Sequence, residues 1–191
     1  MHDAKPDAER RDDQRDGIAS PADLAPLGTI PLNQEHAVEN FSCPRSPRVE
    51  GFLRNDARKY LDLGYSKVFV WPNPEDPTDV WGYYTLSAST VARADLINRH
   101  ERKAPKGLPV PVALIGYMGR SESAVRGLGA VLIHDAALRV SRNVDIATWG
   151  LALEPEVEGL VPWYTGLGFV AAKQRERFMY GPLSAFLSEG D

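Results

Sequence analysis

The sequence predicts an α/β (α+β) single domain built on one mixed sheet. First, its 191 residues with 43% hydrophobic content can bury one sizeable core. Second, strand-like and helix-like patterns alternate along the body of the chain, which favours helices packed on a sheet. Third, an apolar run at residues 110–118 is followed by a polar loop, two glycines and a helical pattern. We expect that run to be the central strand.

The first half of the chain begins with a polar segment. Residues 1–28 carry four basic and seven acidic side chains and almost no large apolar ones, which predicts a disordered tail ahead of a folded domain at residues 29–191. Residues 32–38 predict a short strand or the start of a helix. The pattern at residues 47–63 predicts an amphipathic helix with an inward face and a C-terminal cap at Gly64; that face comprises Phe52, Leu53, Tyr60 and Leu61.

Two strands and a basic connection follow. Residues 68–71 and 80–89 predict the strands of a hairpin, joined by a proline-rich loop. Residues 90–108 carry a local charge of +3, which is typical of an ordinary solvated loop and also compatible with a phosphate-facing surface. Basic residues around the first helix could extend that surface; they are Arg45, Arg48, Arg54, Arg58 and Lys59.

The second half predicts two helices and three strands around the central strand. After the glycine pair, one helical face is apolar, comprising Leu128, Val131, Leu132, Ala136 and Val140, and another is polar, comprising Asp135, Arg139 and Arg142. The later elements are expected as a strand at 146–154, a short helix at 156–166, a strand starting at 169 and a last strand at 177–183.

Composition excludes several classes of protein. The single Cys43 argues against a disulfide framework or a cysteine metal site and favours a reducing, cytoplasmic compartment. The four histidines have no ligand spacing, so we expect no metal site. No apolar run reaches the length of a membrane span, so no membrane association is expected.

The glycines Gly127 and Gly129 are the clearest candidate binding element. A glycine loop at a helix N-terminus presents unpaired N–H groups and the positive end of the helix dipole, which suits a phosphate. A dinucleotide-binding turn is excluded because Leu132 occupies the third glycine position and about nine residues separate the strand from Gly127. A Walker sequence is absent. A purely structural turn into the helix is an equally good interpretation of the glycines alone.

Five segments resemble the Gcn5-related N-acetyltransferase (GNAT) family. Residues 124–130 (AVRGLGA) are similar to its acetyl-CoA loop, with Ala124 where the family has Gln or Arg, and residues 163–169 (WYTGLGF) are similar to its C-terminal motif. The turn at 41–43 (FSC), the strand at 82–87 (GYYTLS) and the segment 109–116 (PVPVALIG) resemble the toxin subgroup of bacterial toxin–antitoxin pairs.

The resemblance implies a mixed, mostly antiparallel sheet with a splayed central strand flanked by helices. It also implies an acyltransferase that uses acetyl-CoA to acetylate the amino group of aminoacyl-tRNA and so blocks translation, with a ribbon-helix-helix antitoxin as partner and a homodimer as assembly. The residues that would contact acetyl-CoA are Tyr117, Met118, Gly119 and Arg120 at the pantetheine, and Ala124, Val125, Arg126, Gly127, Leu128, Gly129 and Ala130 at the pyrophosphate. Tyr164 would be the general acid that protonates the leaving thiolate.

Several alternatives remain open at the level of sequence. Without the resemblance, Tyr164 is more typical of a residue that packs on the core beside Trp163. The acceptor could be a small-molecule amine or a protein lysine, with Trp81, Tyr83 and Tyr84 lining its groove, or the domain could bind CoA without catalysis, as Ala124 suggests. No general base stands out. Glu122 and Glu154 are expected to be solvated, His134 is expected to be structural or solvated, and an esterified α-amine has less need of a base than lysine has.

Overall fold

The computed structural model describes residues 28–187, and the tail expected at residues 1–28 lies outside the described residues apart from Gly28. Eight strands form one sheet in the order β1-β2-β3-β4-β6-β8-β7, with β5 also paired to β3. The strands are β1 (Ile30–Pro31), β2 (Lys67–Pro72), β3 (Val80–Val91), β4 (Val110–Ile115), β5 (Met118–Arg120), β6 (Gly150–Leu153), β7 (Val170–Ala171) and β8 (Met179–Pro182). Only β4 and β6 are parallel, so the predicted mixed, mostly antiparallel sheet is confirmed.

Six α-helices and a π-helical turn cover the sheet. The helices are α1 (Pro47–Gly51), α2 (Ala57–Asp62), α3 (Asn98–Glu101), α4 (Leu128–Ser141), α5 (Val161–Gly166) and α6 (Ser184–Leu187), and the π-helical turn Phe52–Asp56 joins α1 to α2. Short 3-10 helices occur at Val38–Asn40, Arg93–Asp95 and Glu158–Leu160. The predicted helix at residues 47–63 is therefore one run with a π-helical turn in its middle, followed by Gly64 with the expected positive φ of 72°. No described helix has the length and apolar content needed to cross a membrane.

The central strand is interrupted by a β-bulge. Ser87 pairs with Leu114 and Tyr84 pairs with Met118, so two residues of β3 face three residues of the opposite strand. Thr85 closes the gap, because its N–H donates to the carbonyl of Tyr117 at 2.9 Å and its Oγ1 accepts from the Tyr117 N–H at 3.0 Å. The apolar run predicted as one strand at 110–118 is thus two strands, β4 and β5, that share β3 but differ by one residue in register.

One strand is much shorter than predicted. The sequence favours a strand from Ile146, but β6 begins at Gly150. The side chain of Asn143 accepts hydrogen bonds from the N–H groups of Asp145 at 3.1 Å and Ile146 at 3.4 Å, which folds this segment into a turn. Ile146 is consequently exposed, although its residue type is typical of a strand. Similarly, residues 32–38 contain no strand, since the strand at that end is Ile30–Pro31.

The sheet carries a core on each face, and the alternation along β3 separates them. Tyr84 is buried under α4 in the main core, whereas Tyr83 points to the opposite face and packs beneath α1 and the π-helical turn. The Tyr83 hydroxyl donates to the carbonyl of Val49 at 2.6 Å, which ties α1 to the sheet. A third cluster, beside the second one, covers β4, β6 and β8 with the segment that carries Leu96.

The predicted polar face of α4 is only partly solvated. Two residues of this face, Asp135 and Arg139, are half-buried. The hydroxyl of Tyr84 donates to Asp135, and the guanidinium of Arg139 donates to Tyr84 Oη at 3.1 Å and to the carbonyl of Thr29 at 2.6 Å. The Thr29 hydroxyl also bonds Asp135. The reason is the buried Tyr84 phenol, which needs polar partners on the helix above it.

Two glycines allow helices to approach the sheet closely from both sides. A Cβ on Gly119 of β5 would lie 2.5 Å from Cγ1 of Val49 in α1, and a Cβ on Gly82 would lie 3.0 Å from Cδ2 of Leu128 in α4. Both separations are shorter than ordinary van der Waals contacts between carbon atoms. The absence of side chains at these two positions therefore sets the distance of both helices from the bulged strand.

We expect Gly119→Ala to lower the free energy of unfolding by about 1–3 kcal/mol, because the added methyl group overpacks the contact with the rigid Val49 side chain. Urea denaturation followed by circular dichroism measures this. Gly159→Ala is the control, since a Cβ at Gly159 meets nothing within 4 Å. Equal stability of the two variants would contradict the close-packing account.

Candidate functional site

The site lies where the sheet opens beyond the bulge. Strand β6 pairs with β4 only as far as Leu153, opposite Ile115, and β5 has no partner on that side. The carbonyl of Tyr117 and the N–H of Ser121 both form backbone hydrogen bonds with β3. Because residues alternate along an antiparallel strand, the backbone N–H groups of Met118 and Arg120 face the opening. The central strand is therefore splayed, with an unpaired edge directed into the gap.

Two cavities meet in this opening. The larger has a volume of about 430 Å³ and the smaller about 110 Å³. They share the side chains of Met118, Leu160 and Tyr164. The larger one, called the groove below, is lined in addition by Arg45, Gly119, Arg120, Gly127, Gly129, Ala130, Leu132 and Trp163. The smaller one, called the acceptor cavity below, is lined in addition by Ser46, Arg48, Val49, Ile115, Gly116, Tyr117, Leu153, Glu154 and Glu156.

The glycine loop forms the anion-binding end of the groove. Gly127 caps α4 with a φ of 89°, a left-handed conformation that other residues rarely adopt, and no side chain bonds the cap. The N–H groups of Leu128 and Gly129 have no hydrogen-bond partner in the described part of the chain. A Cβ on Gly129 would lie 3.3 Å from Cη2 of Trp163, so the indole forms the wall opposite the helix N-terminus. This end of the groove can hold a phosphate without rearrangement.

Arg120 holds the loop that leads to the glycines. Its Nη1 donates to the carbonyls of Ser121 at 3.2 Å and Ala124 at 2.9 Å. The methyl group of Ala124 is buried in the main core, so this position contributes packing to the loop. The side chain that differs from the family pattern thus points away from the groove, and the backbone donors at 127–129 keep their position.

Tyr164 occupies the boundary between the two cavities. It lies on α5, is 8% exposed, and packs edge-to-face against Trp163 and Phe169 with ring centroids 4.8 Å and 5.7 Å away. Burial, and to a lesser extent the negative charge of Glu156, raises the pKa of Tyr164 to about 12. Its hydroxyl bonds no group within residues 28–187. The phenol is therefore protonated at neutral pH and free to donate to a bound molecule.

The acceptor cavity contains a carboxylate that the sequence did not single out. Glu156 follows β6 and accepts a hydrogen bond from the hydroxyl of Ser46, the N-cap of α1. Arg48 also lines this cavity, with its guanidinium 5.3 Å from the ring centroid of Tyr117. That ring stacks on Phe52 at a centroid distance of 3.7 Å. The cavity thus combines apolar walls with two carboxylates, one guanidinium and two phenols.

The structure brings most of the predicted binding residues together, but not all of them face the groove. Met118, Gly119, Arg120, Gly127, Gly129 and Ala130 line the groove, and Tyr117 lines only the acceptor cavity. Four predicted residues line neither cavity; among them, Ala124 and Leu128 are buried in the core, and Arg126 is exposed. Val125 is half-buried against the main core. The backbone of this loop, and not its side chains, is what it presents to a ligand.

Two predicted acceptor-side features are corrected. Tyr83 and Tyr84 do not line a groove, since both are fully buried on opposite faces of the sheet, and Trp81 packs against the main core. Three other candidates are exposed, as expected, and one of them, Glu154, also lines the acceptor cavity. Glu122 accepts from the Ser42 hydroxyl, Glu154 pairs with Arg175, and His134 Nδ1 bonds the carbonyl of Phe186.

Residues that sequence reasoning missed are Glu156 and Ser46. Ser46 and Glu156 are 110 positions apart, and no local pattern links them. The only signals were the Ser-Pro start of the first helix, which is typical of an N-cap, and a polar residue just after a strand end. The pairing of the two depends on tertiary structure.

We expect the Tyr164 phenol to remain protonated up to about pH 11, because its pKa is raised to about 12. The measurement is a pH titration of ¹³Cζ-labelled tyrosine by NMR, with the Tyr164 resonance assigned by its absence in Tyr164→Phe. Free tyrosine in the same buffer is the comparison and should ionise near pH 10. Ionisation of Tyr164 near that pH would contradict its burial in this site.

Part of the chain is similar in sequence to known proteins. No family model matches the chain. A Sinorhizobium fredii protein described as the probable toxin TacT is 28% identical over 99 residues, and a tRNA-acetylating toxin of Mycobacterium tuberculosis is 35% identical over 101 residues. These alignments cover 51% and 52% of the chain and 54% and 57% of the relatives, so the chain spans little more than half the length of the curated relatives it matches.

Solved structures extend the likeness over most of the chain. The structure of AtaT complexed with acetyl-methionyl-tRNAfMet superposes with a TM-score of 0.73 at 21% identity, covering 82% of this chain and 95% of that one. AtaTR bound with AcCoA superposes with a TM-score of 0.68 at 22% identity, covering 83% and 94%. The chain therefore has the GNAT fold that was predicted from its motifs, and it resembles the toxins within that fold.

Proposed function

We propose that this protein is an acetyl-CoA-dependent N-acetyltransferase of the toxin type, which acetylates the amino group of aminoacyl-tRNA and so blocks translation. The observation that supports this best is the meeting of two cavities at Tyr164. One cavity ends at an anion-binding helix N-terminus, and the other contains polar groups suited to an amine. A group-transfer enzyme needs this arrangement, because donor and acceptor must meet at one catalytic side chain.

In this proposal acetyl-CoA occupies the groove. The N–H groups at Gly127, Leu128 and Gly129 hold the pyrophosphate, and the unpaired edge of β5 bonds the pantetheine as a further strand would. A backbone N–H at the bulge, from Met118, polarises the thioester carbonyl. Preorganised donors at that oxygen are usually the largest single contribution to catalysis of acyl transfer. AtaTR, one of the structural neighbours, binds AcCoA.

Tyr164 is the proposed general acid. The amine nitrogen attacks the thioester carbon, the C–S bond breaks, and the phenol donates its proton to the leaving sulfur. A phenol with a pKa of about 12 is fully protonated when the thiolate forms. The apolar surroundings that raise the pKa of Tyr164 also raise that of a thiol bound beside it, so the transfer is less uphill than it would be in water.

Aminoacyl-tRNA is the acceptor that the resemblance favours. The M. tuberculosis relative is a tRNA-acetylating toxin, and AtaT has been captured with acetyl-methionyl-tRNAfMet. In this chain Arg45 lines the groove and Arg48 lines the acceptor cavity. Neither takes part in an ion pair among the described residues. Both are therefore available to meet phosphates near the mouth of the site.

Each alternative loses a feature that motivated it. A small-amine or lysine acceptor was favoured by an aromatic groove at Trp81, Tyr83 and Tyr84, but the two tyrosines are fully buried. A non-catalytic CoA-binding domain was suggested by Ala124, whose side chain packs in the core while Arg120 supports the loop. Neither observation argues any longer against catalysis on tRNA.

The domain bounds, the assembly, the compartment and an inhibitor belong to the same proposal. Residues 29–191 form the catalytic domain, residues 1–28 a separate tail, and the active assembly is a homodimer that acts in the cytoplasm, where charged tRNA is found. A ribbon-helix-helix antitoxin is the proposed inhibitor, since the structural neighbour AtaT forms a complex with the antitoxin AtaR on DNA. Sedimentation measures the assembly state directly.

The proposal predicts that label from acetyl-CoA appears on a mixed pool of aminoacylated tRNA and not on deacylated tRNA. Mild alkaline release of the amino acid, followed by mass spectrometry, would identify the N-acetylated residue and hence the tRNA isotype. Salt should reduce the rate steeply, because phosphate contacts release counterions. Absence of label, with acetyl-CoA binding confirmed by calorimetry, would rule out tRNA as the acceptor.

We expect Tyr164→Phe to lower kcat at least 100-fold and to leave the Kd of acetyl-CoA within about twofold, because the variant loses the proton donor but keeps the packing against Trp163 and Phe169. Tyr65→Phe, which removes an exposed hydroxyl, is the control. An unchanged kcat in Tyr164→Phe would reject the general-acid assignment.

We expect Gly129→Val to weaken CoA binding at least tenfold in calorimetry, because the new side chain would collide with Trp163 and narrow the pyrophosphate end of the groove. Gly159→Val, at a position with open space around its Cβ, is the matched control. Equal affinity of both variants for CoA would place the pyrophosphate elsewhere.

A further inference from the structure

We propose that Glu156 binds the cationic amino group of the acceptor and takes the first proton from it. This inference rests on the proposed function, since it concerns the acceptor side of the same reaction. The acceptor cavity holds the two carboxylates Glu154 and Glu156, and they differ in what they contact. That difference singles out Glu156.

Glu154 already has a cationic partner. Its Oε1 lies 2.8 Å from Nη2 of Arg175, and both side chains are largely exposed. Glu156 is half-buried, and within residues 28–187 no lysine, arginine or histidine forms an ion pair with it. A partly buried carboxylate without a cation is costly unless hydrogen bonds or a ligand compensate it. Glu156 thus has the negative charge that an ammonium group requires and no cationic partner among the described residues that would compete with it.

Ser46 fixes the position of this carboxylate. Its hydroxyl donates to Oε2 of Glu156 and accepts from the N–H of Val49 at 3.3 Å, which anchors the pair to the N-terminus of α1. This contact uses one carboxylate oxygen and leaves Oε1 without a partner in the described part of the chain. Oε1 is therefore the atom that we assign to the acceptor nitrogen.

Glu156 also lies close to the catalytic phenol. Its charge contributes to the raised pKa of Tyr164, and both side chains line the acceptor cavity. An amine held by Glu156 would thus be placed between the carboxylate and the thioester beside Tyr164. The nitrogen has a lone pair only after the ammonium has lost a proton, and the Glu156 carboxylate accepts that proton. The lone pair is then already oriented toward the thioester.

The proton balance assigns each residue one task. The acceptor ammonium gives its first proton to Glu156, and Glu156 passes it to solvent. The neutral amine forms the C–N bond, the C–S bond breaks, and Tyr164 protonates the sulfur. The second proton leaves the nitrogen as the amide forms and restores the Tyr164 phenol. One proton is released overall for each acetyl group transferred.

The test compares Glu156→Gln with Glu154→Gln on charged tRNA. Glutamine keeps the size of the side chain and can still accept from Ser46, so a merely structural role would survive the change. We expect Glu156→Gln to raise KM for charged tRNA at least tenfold and to lower kcat at least tenfold, with the Kd of acetyl-CoA unchanged. Glu154→Gln, whose carboxylate already pairs with Arg175, should cause a clearly smaller loss, and Glu156→Asp, which keeps the charge, should recover part of the loss. Glu101→Gln, which removes a carboxylate paired with Lys173 outside both cavities, should stay within about twofold of wild type.

Each outcome decides the assignment. Wild-type kinetics in Glu156→Gln, while the unsubstituted protein acetylates charged tRNA, would overturn the role of Glu156 and leave the proposed function intact. Equal losses in Glu156→Gln and Glu154→Gln would also overturn it, because they would reflect the general charge of the cavity. A loss confined to acetyl-CoA affinity would assign Glu156 to the donor side. No transfer by the unsubstituted protein to any charged tRNA would reject both the function and this inference.

Discussion

The β-bulge opposite Thr85 is the constraint on which the rest of the site depends. One extra residue between β4 and β5 shifts the register against β3, and the two hydrogen bonds between Thr85 and Tyr117 hold that shift in place. Strand β6 stays parallel to β4 and ends at Leu153, so it does not follow β5. The gap between β5 and β6 is a direct result, and it gives a ligand access to an unpaired strand edge in the middle of the sheet.

Close helix packing converts this gap into two cavities. Gly119 lets α1 approach one face, which brings Ser46 and Arg48 to the acceptor cavity, and Gly82 lets α4 approach the other face, which brings its N-terminus to the groove. Tyr164 on α5 then separates the two compartments. The two cavities are thus built on different helices that pack against the same strand, β3.

The sequence predicts what local patterns encode. The helix at α4, its apolar face and the left-handed Gly127 follow from periodicity and from glycine chemistry, and the two motifs around Gly127 and Tyr164 identify the fold. The prediction for Tyr83 and Tyr84 failed because adjacent strand residues point to opposite faces, and in this sheet both faces are covered. The late start of β6 depends on one Asn143 side chain that bonds its neighbours. The partnership of Ser46 with Glu156 has no local signature at all.

Some residues that bond each other lie far apart in the sequence. This separation affects when the protein can become active during its own synthesis. Ser46 meets Glu156 across 110 positions, and Thr29 meets Asp135 across 106. Contacts of such long range form late, because loop closure must precede them. During synthesis, a chain that has not yet emerged beyond Glu156 already contains the glycine loop and α4 but lacks both Glu156 and Tyr164. Under the proposed function, the nascent protein would therefore stay inactive on charged tRNA until nearly the whole domain has left the ribosome.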